Sequence, residues 1–273
     1  MTDQQPIGAN LPPANSYIDY QKAEELLGLQ VTRSQAPDEH VFLTVAQAME
    51  LMYKAAYHEC VIMRGHLAAD RVDEAVTLGD RVARLIRLAA DSWEVYDTIT
   101  PQGFLAFRSV FGTGSGFQSP SYRLLEFALG NRNVALAKRH LQNISWAWPL
   151  VEHEITEPSL WDESNRLLSR RGHVLAPDVT SRDWSEEYRV SEAVEAAWRE
   201  VYQTTPDPQL IRLGERLIDI AERFSEFRYK HLLVVERTMG WRPGTGGTTG
   251  VDWLRTIAQH RFFPELWLVR TTL

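Results

Sequence analysis

Leu210, Leu213, Leu217, Ile220, Phe224 and Phe227 recur at intervals of 3, 4, 3, 4 and 3, and the next step lands on His231. That spacing is one apolar stripe of a long helix, so His231 belongs on its buried face. A histidine there is either a core residue bonded to a carbonyl or a ligand, because neutral imidazole binds metals and haem iron. The chain has no CxxCH, so a haem held by His231 would be b-type. Arg108 lies in the apolar run FLAFRSVF. It is either a snorkelling or structurally paired arginine, or a fork for a substrate carboxylate.

Other candidates are weaker. GTGSG at 112–116 and GTGGTTG at 244–250 miss the dinucleotide and P-loop spacings, and both follow helices where those motifs need a strand. They suit lids that offer backbone N–H and hydroxyl groups to a ligand. Glu152, His153 and Glu154 are adjacent, and adjacent helical residues point different ways, so a solvated surface is expected there. Arg71, Arg81, Arg84 and Arg87 alternate with Asp73, Glu74 and Asp80 and read as a solvated helix face. There is no HExxH and no GxSxG.

The elements that must hold these residues are helices. His40 to Leu67 is rich in Ala, Met, Leu and Glu. Asp70 to Asp97 places Val72, Ala75, Val82, Leu85, Ala89 and Trp93 at helical intervals, with Asp70 as the expected N-cap. Thr100-Pro101 opens a helix reaching about Val110. Further helices are expected at 121–129, 133–145, 158–171, 185–203 and 210–240, with short ones at 17–29 and after 250. No segment alternates as a strand would, so the fold class is all-α. Residues 1–16, polar with three prolines, read as an arm, and 17–273 as a single domain.

Composition narrows the function. Among 273 residues there are 29 basic and 36 acidic side chains, a net charge of −7, which argues against a nucleic-acid partner. The single cysteine, Cys60, excludes intrachain disulfides. No run approaches the roughly 18 apolar residues of a membrane span, and no basic-then-apolar leader opens the chain. A cytoplasmic protein is expected. Nine tryptophans suit a large flat ligand or a large core.

Three segments together resemble the tryptophan 2,3-dioxygenase family of haem enzymes: TPQGFLAFRSVFGTGSGFQSPSYRLLEFALGN (100–131), FRYKHLLVVERTMGWRPGTGGTTG (227–250) and FFPELWLVRT (262–271). Weaker similarity covers NSYIDY and VFLTVAQAMEL. The resemblance implies a helical bundle enclosing haem b, with His231 as axial iron ligand. It implies Arg108 as clamp for the carboxylate of an aromatic amino acid, and Thr245 as a substrate contact from the second glycine loop. Phe42 and Phe104 would line the indole pocket, Ser115 and Gly116 would sit by the haem edge, and Trp93 near a propionate. The family is usually a homotetramer, and Tyr17 and Tyr20 match tyrosines lent to a neighbouring subunit's pocket.

Two departures stand out. The family's distal histidine is Ala46 here, with Gln47 and Glu50 keeping the register, and Phe104 stands where the family usually has Tyr. Both changes remove polar groups and leave a drier, roomier pocket. They motivate an expectation that the chain adds one oxygen atom to indole C2 of tryptophan or β-methyltryptophan. That reaction gives a 2-oxindole in a natural-product pathway of the maremycin type, with an external reductant. Ring-opening dioxygenation to N-formylkynurenine is the alternative. A haem-binding sensor without turnover is the reading from another class, and the substrate clamp speaks against it.

Overall fold

Two helices of 32 residues carry the framework, and each begins at a proline: α1 (Pro37–Ala68) and, much later in the chain, the helix Pro208–Met239. Proline suits that position because its fixed φ is helical and its missing N–H has no partner to lose. The second start is also capped, with the Asp207 side chain accepting from the N–H groups of Gln209 and Leu210. The computed structural model describes residues 16–204, 206–244 and 249–273. Between the two long helices lies α2 (Val72–Asp91), packed along both. Its inner face is Val72, Ala75, Gly79, Val82, Ile86 and Ala89, mostly small residues that let the three helices approach. Gly79 is needed for that approach, since a Cβ there would lie 2.5 Å from Arg216 Cγ.

The expected stripe is realised. Leu210, Leu213, Leu217, Ile220, Phe224 and Phe227 are all buried, each contributing roughly 1.5–3 kcal/mol by leaving water. Around this framework run α3 (Pro101–Phe107), which continues as a 3-10 turn Arg108–Phe111, then α4 (Pro120–Leu129) and α5 (Leu160–Arg170). The helix Pro208–Met239 is α6, and α7 (Val251–Ala258) packs against it. The fold is all-α, with no strand among the described residues. No helix among them is long and apolar enough to cross a membrane.

Several boundaries differ from the sequence reading. Asp70 does not cap α2. It takes a left-handed conformation at φ 63° in the tight link after α1, and α2 starts past Arg71. The helix expected to run to Asp97 divides at Ser92, whose hydroxyl donates to the Leu88 carbonyl, and resumes as Trp93–Tyr96. The 17–29 helix is two short helices, Tyr17–Gln21 and Ala23–Leu27, parted by Lys22 at φ 53°. Helix Glu192–Gln203 begins later than expected, and Trp148–Thr156 was not foreseen.

The stretch from 146 to 203 forms a side layer with its own polar ties. Arg182 Nε donates to Asp162 at 2.8 Å, and the Tyr188 hydroxyl to Glu265 at 2.6 Å. Trp161 and Trp198 stack in its core with planes 8° apart, so two of the nine tryptophans serve packing.

Candidate active site

Two helix faces enclose a cavity of about 530 Å³, within the roughly 300–1,000 Å³ of small-molecule sites. Helix α1 contributes Phe42, Ala46, Met49, Glu50 and Tyr53; α6 contributes Phe227, His231, Val234, Val235 and Thr238. Both sets are spaced 4, 3, 1 and 3, the repeat of a single helix face. Of the residues singled out in the sequence, Phe42, Ala46, Trp93, Phe104, Arg108, Ser115, Gly116 and His231 all line this one cavity. Thr245 lies outside the described residues.

His231 is bonded to no carbonyl of the described residues, unlike an ordinary core histidine. Its ring makes no hydrogen bond among the described residues. It lies face to face with the Trp93 indole, centroids 4.3 Å apart and planes 8° from parallel. Burial pushes its pKa down to about 4, so the imidazole is neutral at ordinary pH. A neutral imidazole with no hydrogen-bond partner, on a cavity wall, keeps a nitrogen lone pair for a ligand.

Arg108 opens the 3-10 turn that follows α3. The helix is well capped, with the Thr100 hydroxyl oxygen accepting from the Gly103 N–H. Arg108 is half-buried, and its Nη2 donates to the Pro243 carbonyl at 2.9 Å, tying it to the start of the second glycine loop. It has no carboxylate partner among the described residues. The N–H groups it does not spend on Pro243 can take one from a ligand.

Aromatic rings fill the end of the cavity between these helices. Phe42 meets Tyr96 at 4.8 Å, Phe111 at 5.2 Å, Phe107 at 5.3 Å and Phe104 at 5.8 Å between centroids. The first glycine loop is held in place rather than loose. Ser115 and Gln118 form a reciprocal capping box. Glu50, one turn beyond Ala46, accepts from the Ser119 hydroxyl at 2.5 Å and the Ser121 N–H at 3.0 Å.

Tyr17 and Tyr20 are not brought to the cavity of their own chain. They stand 75% and 78% exposed, in a segment whose two short helices bury nothing. The Glu152–Glu154 reading needs a partial correction. Glu154 is buried and accepts from Arg64 at 2.7 Å and from the Tyr57 hydroxyl at 2.8 Å. Its place on a packed helix face, with an arginine across from it, is what the triplet alone did not convey. Among the described residues no three side chains gather as metal ligands.

Sequence reasoning passed over one buried charge cluster. Glu126 on α4 pairs with Arg123 on its own helix and with Arg228 of α6, the latter at 2.5 Å. Burial pushes the Glu126 carboxyl up, and the two guanidiniums outweigh it and hold it below its ordinary value. Arg228 also donates to the Ile257 carbonyl at 3.2 Å and lies over the Phe224 and Phe262 rings. The cluster therefore ties α4, α6 and α7 around the cavity. One signal was present: Glu126 stands inside the apolar run LLEFAL, a placement like that of Arg108. Three buried donors on cavity-lining residues have no partner among the described residues: Trp93 Nε1, Arg123 Nε and Trp253 Nε1.

The chain is similar to known proteins over most of its length. The family model for tryptophan 2,3-dioxygenase matches residues 4–145 and 199–273. The chain is 40% identical over 262 residues to a tryptophan 2,3-dioxygenase of Polaromonas sp., covering 94% of this chain and 88% of that one. It is 40% identical over 260 residues to one from Bradyrhizobium diazoefficiens, covering 94% and 92%. With a Myxococcus xanthus relative of the same name it shares 39% over 272 residues, covering 98% and 92%.

Proposed function

The chain belongs to the tryptophan 2,3-dioxygenase family, and we propose that it uses haem b and dioxygen to open the indole ring of L-tryptophan, giving N-formylkynurenine. The observation that carries this reading is that His231 and Arg108 line one cavity: a neutral imidazole without a hydrogen bond, and a guanidinium without a carboxylate partner, among the described residues.

The residues present fit a haem. The His231 imidazole has the protonation state an axial ligand needs. The unpartnered donors of Trp93, Arg123 and Trp253 suit a group that brings its own acceptors, as propionates do. Ser115 and Gly116 line the same cavity. When bound, haem supplies the redox chemistry of dioxygen.

The chain's own residues supply binding and orientation. Arg108 takes the substrate carboxylate in a two-pronged contact. Phe42 and Phe104 hold the indole by flat apolar contact and keep water from it. Fixing both ends of the substrate turns an encounter into a positioned reaction. Ala46 has no side-chain proton donor or acceptor, so α1 supplies no base at that position. Thr245 is proposed, from the resemblance, to bond the substrate as its loop closes. Tyr17 and Tyr20 are proposed to serve the pocket of a neighbouring copy in a homotetramer. Their exposed apolar segment, which buries nothing on its own chain, supports that role.

The expectation of one-atom insertion at indole C2 gives way to ring opening. It rested on Ala46 and Phe104 alone, and the relatives found are named dioxygenases across nearly their whole length. With both oxygen atoms entering the product, no external reductant is consumed in turnover. The test is to weigh the product formed from tryptophan by haem-loaded protein under labelled dioxygen. Two labelled atoms with formylkynurenine absorbance are expected. A single labelled atom would overturn ring opening in favour of the oxindole. Substrate binding with no dioxygen consumed would make the protein a sensor.

A further inference from the structure

A second cavity of about 360 Å³ adjoins the first, and Phe42, Ala46 and Phe111 belong to both linings. The Phe42 and Phe111 rings stand 5.2 Å apart between centroids. Beside them Ala46 contributes a single methyl group, so the partition is thinnest at that residue. The other walls of the side cavity include Val31, Leu43 and Val110. Glu39 also borders it, but its carboxylate is already committed, accepting from the N–H groups of Arg33 at 2.6 Å and Ser34 at 2.7 Å. What this space offers a ligand is mainly apolar surface.

Arg108 lies one helical turn beyond Phe104. A carboxylate on Arg108 and an aromatic ring against Phe104 and Phe42 would share the main cavity with Ala46, which stands one turn beyond Phe42 on α1. We infer that Ala46 determines the substrate range of the site. It leaves the main cavity open toward the side cavity, so that the protein accepts tryptophans carrying an alkyl or alkoxy group on the indole ring. This inference rests on the proposed function. A methylene-sized group in an apolar pocket is worth roughly 10–200-fold in discrimination, so filling or opening this space has a measurable effect.

The experiment uses the haem-loaded protein with L-tryptophan and with tryptophans bearing a methoxy group at each benzo position in turn. Both kcat/KM and the dissociation constant from calorimetry are measured, and the ratio to tryptophan is compared among the wild type, Ala46→Leu and Leu43→Trp. Leu43 lines only the side cavity, so Leu43→Trp fills it from the far side. In the wild type, at least one methoxy isomer is expected within about tenfold of tryptophan, and both variants are expected to lower that ratio at least about tenfold. Leu43→Trp leaves tryptophan itself within about twofold.

Rejection of every methoxy isomer by the wild type overturns the inference. That result is also what a neighbouring copy filling the side cavity would give. A ratio unchanged in both variants overturns it as well. If tryptophan binds without turnover, the proposed reaction fails while the dissociation constants still decide the role of Ala46.

Discussion

The Trp93 indole and the His231 imidazole lie in parallel planes 4.3 Å apart, joining the short helix after α2 to the cavity face of α6. The stack fixes the plane of an imidazole that no hydrogen bond from the described residues holds. Phe227, one turn earlier on α6, tilts against both rings. The orientation of the ligand nitrogen therefore comes from aromatic packing.

His231→Gly is expected to purify without haem, and added imidazole to restore haem binding, read from the absorption spectrum. Trp93→Leu keeps the ligand but loses the stack, worth about 0.5–1.5 kcal/mol. Haem transfer to an apo-globin acceptor is then expected to quicken by about 2–10-fold. An unchanged transfer rate would remove the stack from any part in holding the ligand.

Arg108→Gln is expected to lower kcat/KM for tryptophan by about 30–1,000-fold, mostly through KM, the loss of a charged contact worth roughly 2–4 kcal/mol. Arg108→Lys is expected to recover only a small part, because an ammonium cannot reproduce the fork. Full recovery with lysine would reduce the contact to simple charge attraction.

Acid stability offers a separate reading of His231. Burial holds its pKa at about 4, against 6.5 for an ordinary imidazole. Above pH 6.5 the folded and unfolded forms are both neutral. Between 6.5 and 4 the unfolded chain binds the proton first, so stability declines with falling pH across that window. His260, lowered to about 4 by burial and then by Arg228, acts in the same direction. Urea midpoints of haem-free protein should fall across this range. His231→Gln is expected to flatten the decline, and an unaltered slope would show that other groups dominate.

Glu126→Gln leaves Arg123 and Arg228 without their shared counter-charge. Breaking a buried pair in this way costs about 3–5 kcal/mol, so thermal unfolding is expected to drop by roughly 10 °C. Replacing Glu126 alone is therefore expected to be more damaging than neutralising an exposed pair such as Arg84–Asp80, which is worth at most about 1 kcal/mol.

The helices and the cavity were legible in the sequence to different degrees. The stripe from Leu210 to Phe227 fixed one face of α6 by periodicity alone and put His231 on it. Arg108 stood out because a guanidinium in an apolar run needs a reason. Gathering Phe42, Trp93, Phe104, Ser115 and His231 around one space required the family resemblance, since nothing local links residues up to 189 positions apart. The left-handed turns at Lys22 and Asp70 were not legible, because neither carries the glycine that usually announces one. The Glu126 cluster was overlooked because its partner Arg228 lies 102 positions away among other charged residues, so Glu126 in its apolar run had no visible counter-charge from α6.

No described residue between 137 and 226 lines the main cavity, and the family model is interrupted from 146 to 198. The side layer, steadied by Asp162–Arg182 and Tyr188–Glu265, shares the core of the long helices through Trp161 and Trp198 and meets α1 through Glu154–Arg64, so it braces the chemistry without entering it. Its buried face is held by that packing, whereas its turn at Val174, 93% exposed, can lengthen at little expense to the reaction. An engineer seeking a place to graft a reporter or a tether onto this scaffold has one there, at a distance from the pocket.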